Sequence, residues 1–179
     1  PHRFWLPPIR LLKEYTAKVY PEPANLLDTY QGRRSAAHMQ DMTLRLSMDI
    51  AVDNKMVDYR MENMTKDQQK AWTKHFSKLR KKVLRDRPQS DDLVRWKYQR
   101  YMADYLACVR ALDDSVGDLL GYLDESGLAA NTVVIYASDQ GFFLGEHGWF
   151  DKRFMYEESI RMPLMVRWPG VTKPGSVSD

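Results

Sequence analysis

Two adjacent hard oxygen donors, Asp139 and Gln140, follow directly on the apolar run Thr132-Val133-Val134-Ile135-Tyr136-Ala137. A carboxylate beside an amide carbonyl suits a hard divalent cation such as Ca2+ or Mg2+. The same loop continues Gly141-Phe142-Phe143-Leu144-Gly145-Glu146-His147-Gly148-Trp149-Phe150-Asp151-Lys152. Its glycines permit sharp turns and close approach to a ligand. His147 adds a titratable imidazole, and Lys152 a cation able to hold an anionic group. On residue types alone two readings stand: a loop for a metal and an anion, or a strand-to-helix connection with a capping Asp and a solvated Lys.

The elements that must position this loop are legible on either side of it. Residues 65–85 predict an amphipathic helix, with Thr65 as N-cap and Trp72, Phe76, Leu79 and Val83 as its apolar stripe. Lys66, Lys70, Lys74 and Lys78 repeat every four residues on another face. Pro88 stops that helix. Ser90 then opens a longer one, with Asp91 and Asp92 in the first turn, where the helix dipole favours negative charge. Its apolar positions run from Tyr98 through Tyr101, Tyr105, Val109, Leu112, Val116 and Leu119 to Leu123, and Gly127 ends it. The β-branched run before Ser138 reads as a strand buried on both faces. Leu164 to Trp168, between Pro163 and Pro169-Gly170, reads as a second strand. A long helix feeding a buried strand implies an α/β architecture with a mostly parallel sheet flanked by helices. In open α/β sheets ligands bind beyond the carboxyl ends of the strands, where Asp139 stands. Residues 1–34, interrupted by five prolines, read as an extended segment lying on something larger. Residues 35–50 predict one moderate helix. The resulting organisation is an extended segment (1–34), a helical region (35–127) and a strand-loop-strand region (128–179).

Composition narrows the function classes. With 44% hydrophobic and 28% charged residues, the 179-residue chain has a globular profile, without an apolar run long enough to span a membrane. No signal-peptide pattern or initiator Met stands at its start, which is expected of a fragment or a processed product. The single Cys108 excludes an internal disulfide and a cysteine zinc cluster, and reads as a small core residue. Charge is uneven: from Lys66 to Arg100 there are twelve Lys/Arg against four Asp/Glu. Such an excess attracts polyanions: nucleic acid, membrane headgroups or an acidic polysaccharide.

The string TVVIYASDQGFFLGEHGWFDKRFMYEESIRMPLMVRWPG resembles the second signature region of type I sulfatases, of the alkaline-phosphatase-like superfamily. The family pattern is an apolar strand, Ser-Asp-(Asn/Gln/His)-Gly, Gly-(Glu/Asp)-His-Gly, a Lys, a Tyr-Glu-Glu-Ser-like turn and a Pro-led strand with Pro-Gly. All of it is present in order. The resemblance implies that Asp139 and Gln140 are metal ligands, for Ca2+ first and Mg2+ or Mn2+ as alternatives. It implies that Lys152 binds the sulfate oxygens and helps stabilise the leaving group. His147 matches the motif's histidine, with loop bonding and substrate contact both open. Glu157, Glu158 and Arg161 are expected to secure the turn by ion pairs. The opening Pro1-His2-Arg3-Phe4-Trp5-Leu6-Pro7-Pro8 resembles the segment whose histidine, here His2, contacts the sulfate or protonates the leaving oxygen. His38 and His75 match nothing in the pattern and are expected at the surface.

The resemblance also implies a formylglycine nucleophile, from Cys/Ser-x-Pro-x-Arg, and two earlier acidic metal ligands. None of these is in the chain; Cys108 is followed by Val-Arg-Ala-Leu. The chain is therefore expected to be a partial sulfatase domain, inactive alone, whose partners are the rest of the sulfatase chain and a sulfated small molecule or glycan, with no nucleic acid. Phe4-Trp5 and Trp149-Phe150 could stack on sugar rings. Family habit implies a periplasmic or secreted location. A phosphodiesterase, phosphonate hydrolase or phosphoglycerol transferase of the same superfamily is the alternative; those often carry a His after the metal Asp, where Gln140 stands. A non-catalytic polyanion-binding remnant is the alternative of another class.

Overall fold

A computed structural model describes residues 5–57 and 61–177. It falls into two compact units: Pro1–Ala111 with Phe143–Asp151, and Leu112–Phe142 with Lys152–Asp179.

The first unit is helical. Helix α1 (Ile9–Ala17) occupies part of the segment expected to be extended. The prolines bound it instead of breaking it: Pro8 is its N-cap in extended backbone, and Pro21 lies beyond its end. Helix α2 (Ser35–Met39) is only five residues long, so the single helix expected over 35–50 is not formed. Thr43 ends that possibility, because its hydroxyl accepts the backbone N–H groups of Leu46 at 3.0 Å and Ser47 at 3.3 Å. Such local bonds offer the backbone an alternative to a helix.

Helix α3 (Lys66–Asp86) matches its expected span, and Thr65 and Gln68 form a reciprocal capping box. Its Trp72 and Phe76 are buried with Leu12 and Met56, and Leu79 and Val83 pack against that cluster. Helix α4 (Ser90–Glu125) has Asp91 and Asp92 in its first turn. Gly127, at φ +73°, follows its end. In the first unit α4 buries Val94, Tyr98, Tyr101 and Ala107, together with Asp104. Asp104 is ion-paired with Arg100 one turn earlier and with Lys55 Nζ at 3.0 Å. Although burial opposes its ionised form, these two cations hold its carboxyl below the ordinary value. Arg100 also donates to Thr16 Oγ1, which lies 3.1 Å from His75 Nε2. His75 is thus half-buried, not the surface residue expected, and burial lowers its pKa. His38 is exposed. Cys108 is half-buried, and burial pushes its thiol up to about 11, which fits a core residue and not a reactive thiolate.

The second unit holds the last part of α4 and strands β1 (Val134–Ala137) and β4 (Leu164–Arg167). They pair antiparallel, Val134 opposite Arg167 and Ala137 opposite Leu164. Arg167 also reaches Asp124 of α4 at 2.8 Å. The mostly parallel sheet is therefore not the pairing seen among the described residues. A parallel pair needs a substantial crossover, usually a helix; the helix between these strands, α5 (Glu157–Ile160), has only four residues. Neither strand is buried on both faces, and Ile135 and Leu164 are 63% and 69% exposed. Likewise the apolar stripe of α4 is exposed at Leu112 and Leu119. One two-stranded ladder offers too little surface to cover both. Among the described residues no helix is long and apolar enough to cross a membrane.

Candidate active site

The loop after β1 divides between the two units. Asp139, Gln140 and Lys152 lie in the second, and His147 in the first.

In the second unit, Ser138 turns the chain out of β1. Its hydroxyl donates to the Gln140 carbonyl at 2.7 Å and its N–H to the Pro163 carbonyl at 3.3 Å. Gly141 N–H then donates to the Ser159 carbonyl at 2.8 Å. A Cβ at Gly141 would lie 2.2 Å from the Glu158 carbonyl oxygen, so only glycine lets these two backbones meet. The buried Ser159 hydroxyl donates in turn to the Lys152 carbonyl at 2.9 Å. Ser159 thus fastens both the Asp139-Gln140 turn and the Lys152 backbone. Hydrogen bonds to the backbone tie the turn. The bonds run through Ser159 and through Arg161 N–H, which donates to the Glu157 carbonyl at 2.9 Å.

Asp139 is exposed, and Gln140 and Lys152 are partly so. Their side chains make no hydrogen bond or salt bridge among the described residues, and only backbone contacts hold them. A carboxylate and an amide oxygen side by side fit a hard cation, which takes about six to eight oxygens when it is Ca2+. The pair alone falls short of such a set. Among the described residues no group of three or more His, Cys, Asp or Glu gathers to hold a metal.

In the first unit, strands β2 (Phe143–Leu144) and β3 (Phe150–Asp151) form a short hairpin around the Gly145-Glu146-His147-Gly148 turn. Gly148 sits at φ +66°, and a Cβ there would meet the Leu26 carbonyl oxygen at 2.7 Å. Leu44 N–H donates to the Gly148 carbonyl, and Phe150 N–H to the Met42 carbonyl, both at 2.9 Å. His147 itself is left-handed, with φ +58°, a conformation uncommon for a residue with a Cβ. Its partners come from far away in the chain. The Tyr30 hydroxyl donates to the His147 carbonyl at 2.8 Å. The ring Nδ1 lies 3.0 Å from Asp28 Oδ2 and 3.1 Å from both Asn25 Nδ2 and Arg33 Nη2. Arg33 bridges Asp28 at 3.0 Å, and Tyr30 N–H donates to Asp28 Oδ1 at 2.8 Å. Desolvation works against the Asp28 carboxylate, but the bonds from His147 and Tyr30 and the Arg33 charge hold its pKa below the ordinary value. A proton on Nδ1 donated to this carboxylate would fix the ring's tautomer and orientation.

Of the five residues singled out for chemistry, Asp139, Gln140 and Lys152 are gathered in one unit around Ser159. His147 is built into the other. His2 lies outside the described residues, as do Pro1, Arg3 and Phe4. Trp149 is fully buried, its ring 5.3 Å from Phe143 and 5.5 Å from Tyr30, so it is a core residue and does not offer a face to a sugar. Trp5 packs at 5.7 Å from Tyr101. Asn25, Asp28 and Arg33 carry no motif of their own, while Ser159 closes the Tyr156-Glu157-Glu158-Ser159 turn of the signature string. Only the burial of a polar loop gave any signal that such partners must exist.

The sulfatase family model matches residues 26–179. An N-acetylglucosamine-6-O-sulfatase of Bacteroides thetaiotaomicron is 44% identical across the whole chain, which covers 34% of that protein. The iduronate 2-sulfatase of Mus musculus is 44% identical over 39% of the chain and 13% of its own length. The solved structure of BT4656 in complex with its substrate D-glucosamine-2-N,6-O-disulfate superposes with a TM-score of 0.92 at 43% identity, covering 98% of this chain and 38% of that one. The chain thus spans about a third of the length of the full-chain relatives it matches, and its helices and strands form part of an α/β domain of that kind. With 154 contiguous residues under the family model and a relative at 44% identity, the chain belongs to the sulfatase family.

Proposed function

We propose that this chain is the part of a sulfatase that supplies the late metal ligands and the sulfate-binding lysine. The whole protein hydrolyses the sulfate ester of a sulfated carbohydrate, with a 6-O-sulfated glucosamine as the substrate class. The carrying observation is that the Asp139-Gln140 turn and Lys152 are fastened to one buried residue, Ser159, while their side chains make no hydrogen bond or salt bridge among the described residues. The identity to an N-acetylglucosamine-6-O-sulfatase over the whole chain supports the substrate class.

In this reading Asp139 and Gln140 contribute two oxygens to a divalent cation, Ca2+ before Mg2+ or Mn2+. Such a cation, when bound, would orient the sulfate and offset its charge. The nucleophile is a formylglycine outside this chain. Lys152 holds a fixed positive charge against the sulfate oxygens, where charge develops as the ester bond breaks. His2 contacts the sulfate or gives a proton to the leaving oxygen. His147, held by Asp28, fixes the conformation of its own turn. The protein works in the periplasm or outside the cell.

The test is sulfate release from N-acetylglucosamine-6-sulfate by the full-length protein with Ca2+. Turnover should fall by about 10²-fold or more in Asp139→Ala and in Lys152→Ala. Undiminished turnover in both variants sinks the assignment. Hydrolysis of phosphate diesters with no sulfate release moves the protein to the phosphoester branch of the superfamily.

A further inference from the structure

The basic face of α3 is not used by the reading above, and it differs from an ordinary solvated helix face. Measured from the buried Trp72 and Phe76, the 100° helical step places Lys66, Lys70, Lys74, Lys78, Lys81 and Arg85 on the opposite side. All six are exposed. Arg85 pairs with its neighbour Asp86 at 2.8 Å, but no salt bridge joins the five lysines to a carboxylate among the described residues. The helix contains only two acidic residues, Asp67 and Asp86. At 1.5 Å per residue, the row from Lys66 to Arg85 is roughly 28 Å long.

The charge is concentrated here and not general to the chain. The stretch from Lys66 to Arg100 has an excess of eight positive charges, and the chain as a whole +3, so the remainder carries −5. Solvation alone would be served equally well by alternating signs, which stabilise a helix. Like charges four residues apart destabilise it instead. Lys66–Lys70, Lys70–Lys74, Lys74–Lys78, Lys78–Lys82 and Lys81–Arg85 all have that spacing. The helix tolerates this because its capping box and its buried aromatic pair hold it from the end and from the other face.

We propose that this face of α3 is a docking surface for a sulfated polysaccharide chain. The choice of a sulfated chain rests on the sulfatase reading. Lysines, as compact hydrated charges on flexible stems, suit a repeating row of sulfates, which needs charge density and not bidentate geometry. The surface holds the polymer, while the monosaccharide unit is recognised elsewhere.

The full-length protein and its Lys70→Gln/Lys74→Gln/Lys78→Gln/Lys81→Gln variant are titrated with heparin across a salt series. In parallel, both are assayed on N-acetylglucosamine-6-sulfate. The expected result is at least a tenfold loss of heparin affinity at about 0.1 M salt, with a shallower salt dependence. Monosaccharide turnover should be unchanged. Replacing the same four lysines by Arg should keep heparin binding, and equal helical circular dichroism in all three proteins excludes a folding defect. Unchanged heparin affinity in the Gln variant overturns the proposal, as does tighter binding of duplex DNA than of heparin. Absence of sulfate release by the wild type, with heparin binding still lysine-dependent, would sink the sulfatase reading and leave the polyanion surface standing.

Discussion

The two halves of the signature loop are held in opposite ways. Around His147 the side chains are already committed: Asp28, Asn25 and Arg33 reach the ring, and Tyr30 the backbone. Around Asp139, Gln140 and Lys152 the backbone is fixed, through Ser138 and Ser159, and the side chains are left free of partners among the described residues. A loop that spends its side chains on protein contacts contributes shape. One that fixes the backbone and withholds the side chains leaves them available to a ligand. Substitutions in the two halves should therefore separate stability from activity. All the tests below use the full-length protein.

The largest effect is expected where backbone meets backbone. In Gly141→Ala the new methyl would overlap the Glu158 carbonyl and push apart the bond from Gly141 N–H to Ser159. Overpacking at a rigid contact costs about 3 kcal/mol, and denaturant unfolding should show it. A loss below about 0.5 kcal/mol would mean that the turn is not locked.

Next comes Asp28→Ala, which strips His147 and Arg33 of their shared carboxylate. Arg33 is 31% exposed and partly screened, so the loss should be about 2 kcal/mol rather than that of a fully buried pair. The effect has a pH signature. Asp28 is depressed in the folded state, so its contribution is complete above the ordinary aspartate value of about 3.9. It fades as pH falls through the lowered folded value. The stability gap between wild type and Asp28→Ala should close on acidification; a gap that widens at low pH would assign the cluster's strength to something other than this carboxylate. Ser159→Ala is milder, about 1 kcal/mol, for one hydroxyl bond to the Lys152 carbonyl.

What the sequence disclosed about these regions follows the range of the forces involved. The capping box of Thr65 and Gln68, the aromatic anchor of α3 and the stop at Gly127 are local, and the spacing of residues announces them. The order Asp139-Gln140-Gly141 and the later Lys152 were legible for the same reason. Asp28 was not, because its work is done at a distance in the chain that no short pattern records, 119 residues from His147. The antiparallel pairing of β1 with β4 was not legible for a related reason. A β-branched apolar strand announces burial, but not which neighbour provides it, and the one neighbour found here, β4, is antiparallel. Similarly Pro8 and Pro21 flagged an interruption, while the nine-residue helix between them rests on burial of Leu11 and Leu12.

The smallest stability effect is also the sharpest test of the comparison. Asp139→Ala and Lys152→Ala remove side chains that make no hydrogen bond or salt bridge among the described residues, so unfolding free energy should move by no more than about 0.5 kcal/mol. Sulfate release should nevertheless collapse. Calcium makes the contrast measurable without turnover: at a hundred times its Kd, a ligand bound only by the folded state stabilises it by about 2.7 kcal/mol. Added Ca2+ should therefore raise the Tm of the wild type and of Asp28→Ala alike, and leave that of Asp139→Ala where it was. An Asp139→Ala protein that is strongly destabilised without calcium would show that its carboxylate is structural. In that case the two halves of the loop would differ in degree and not in kind.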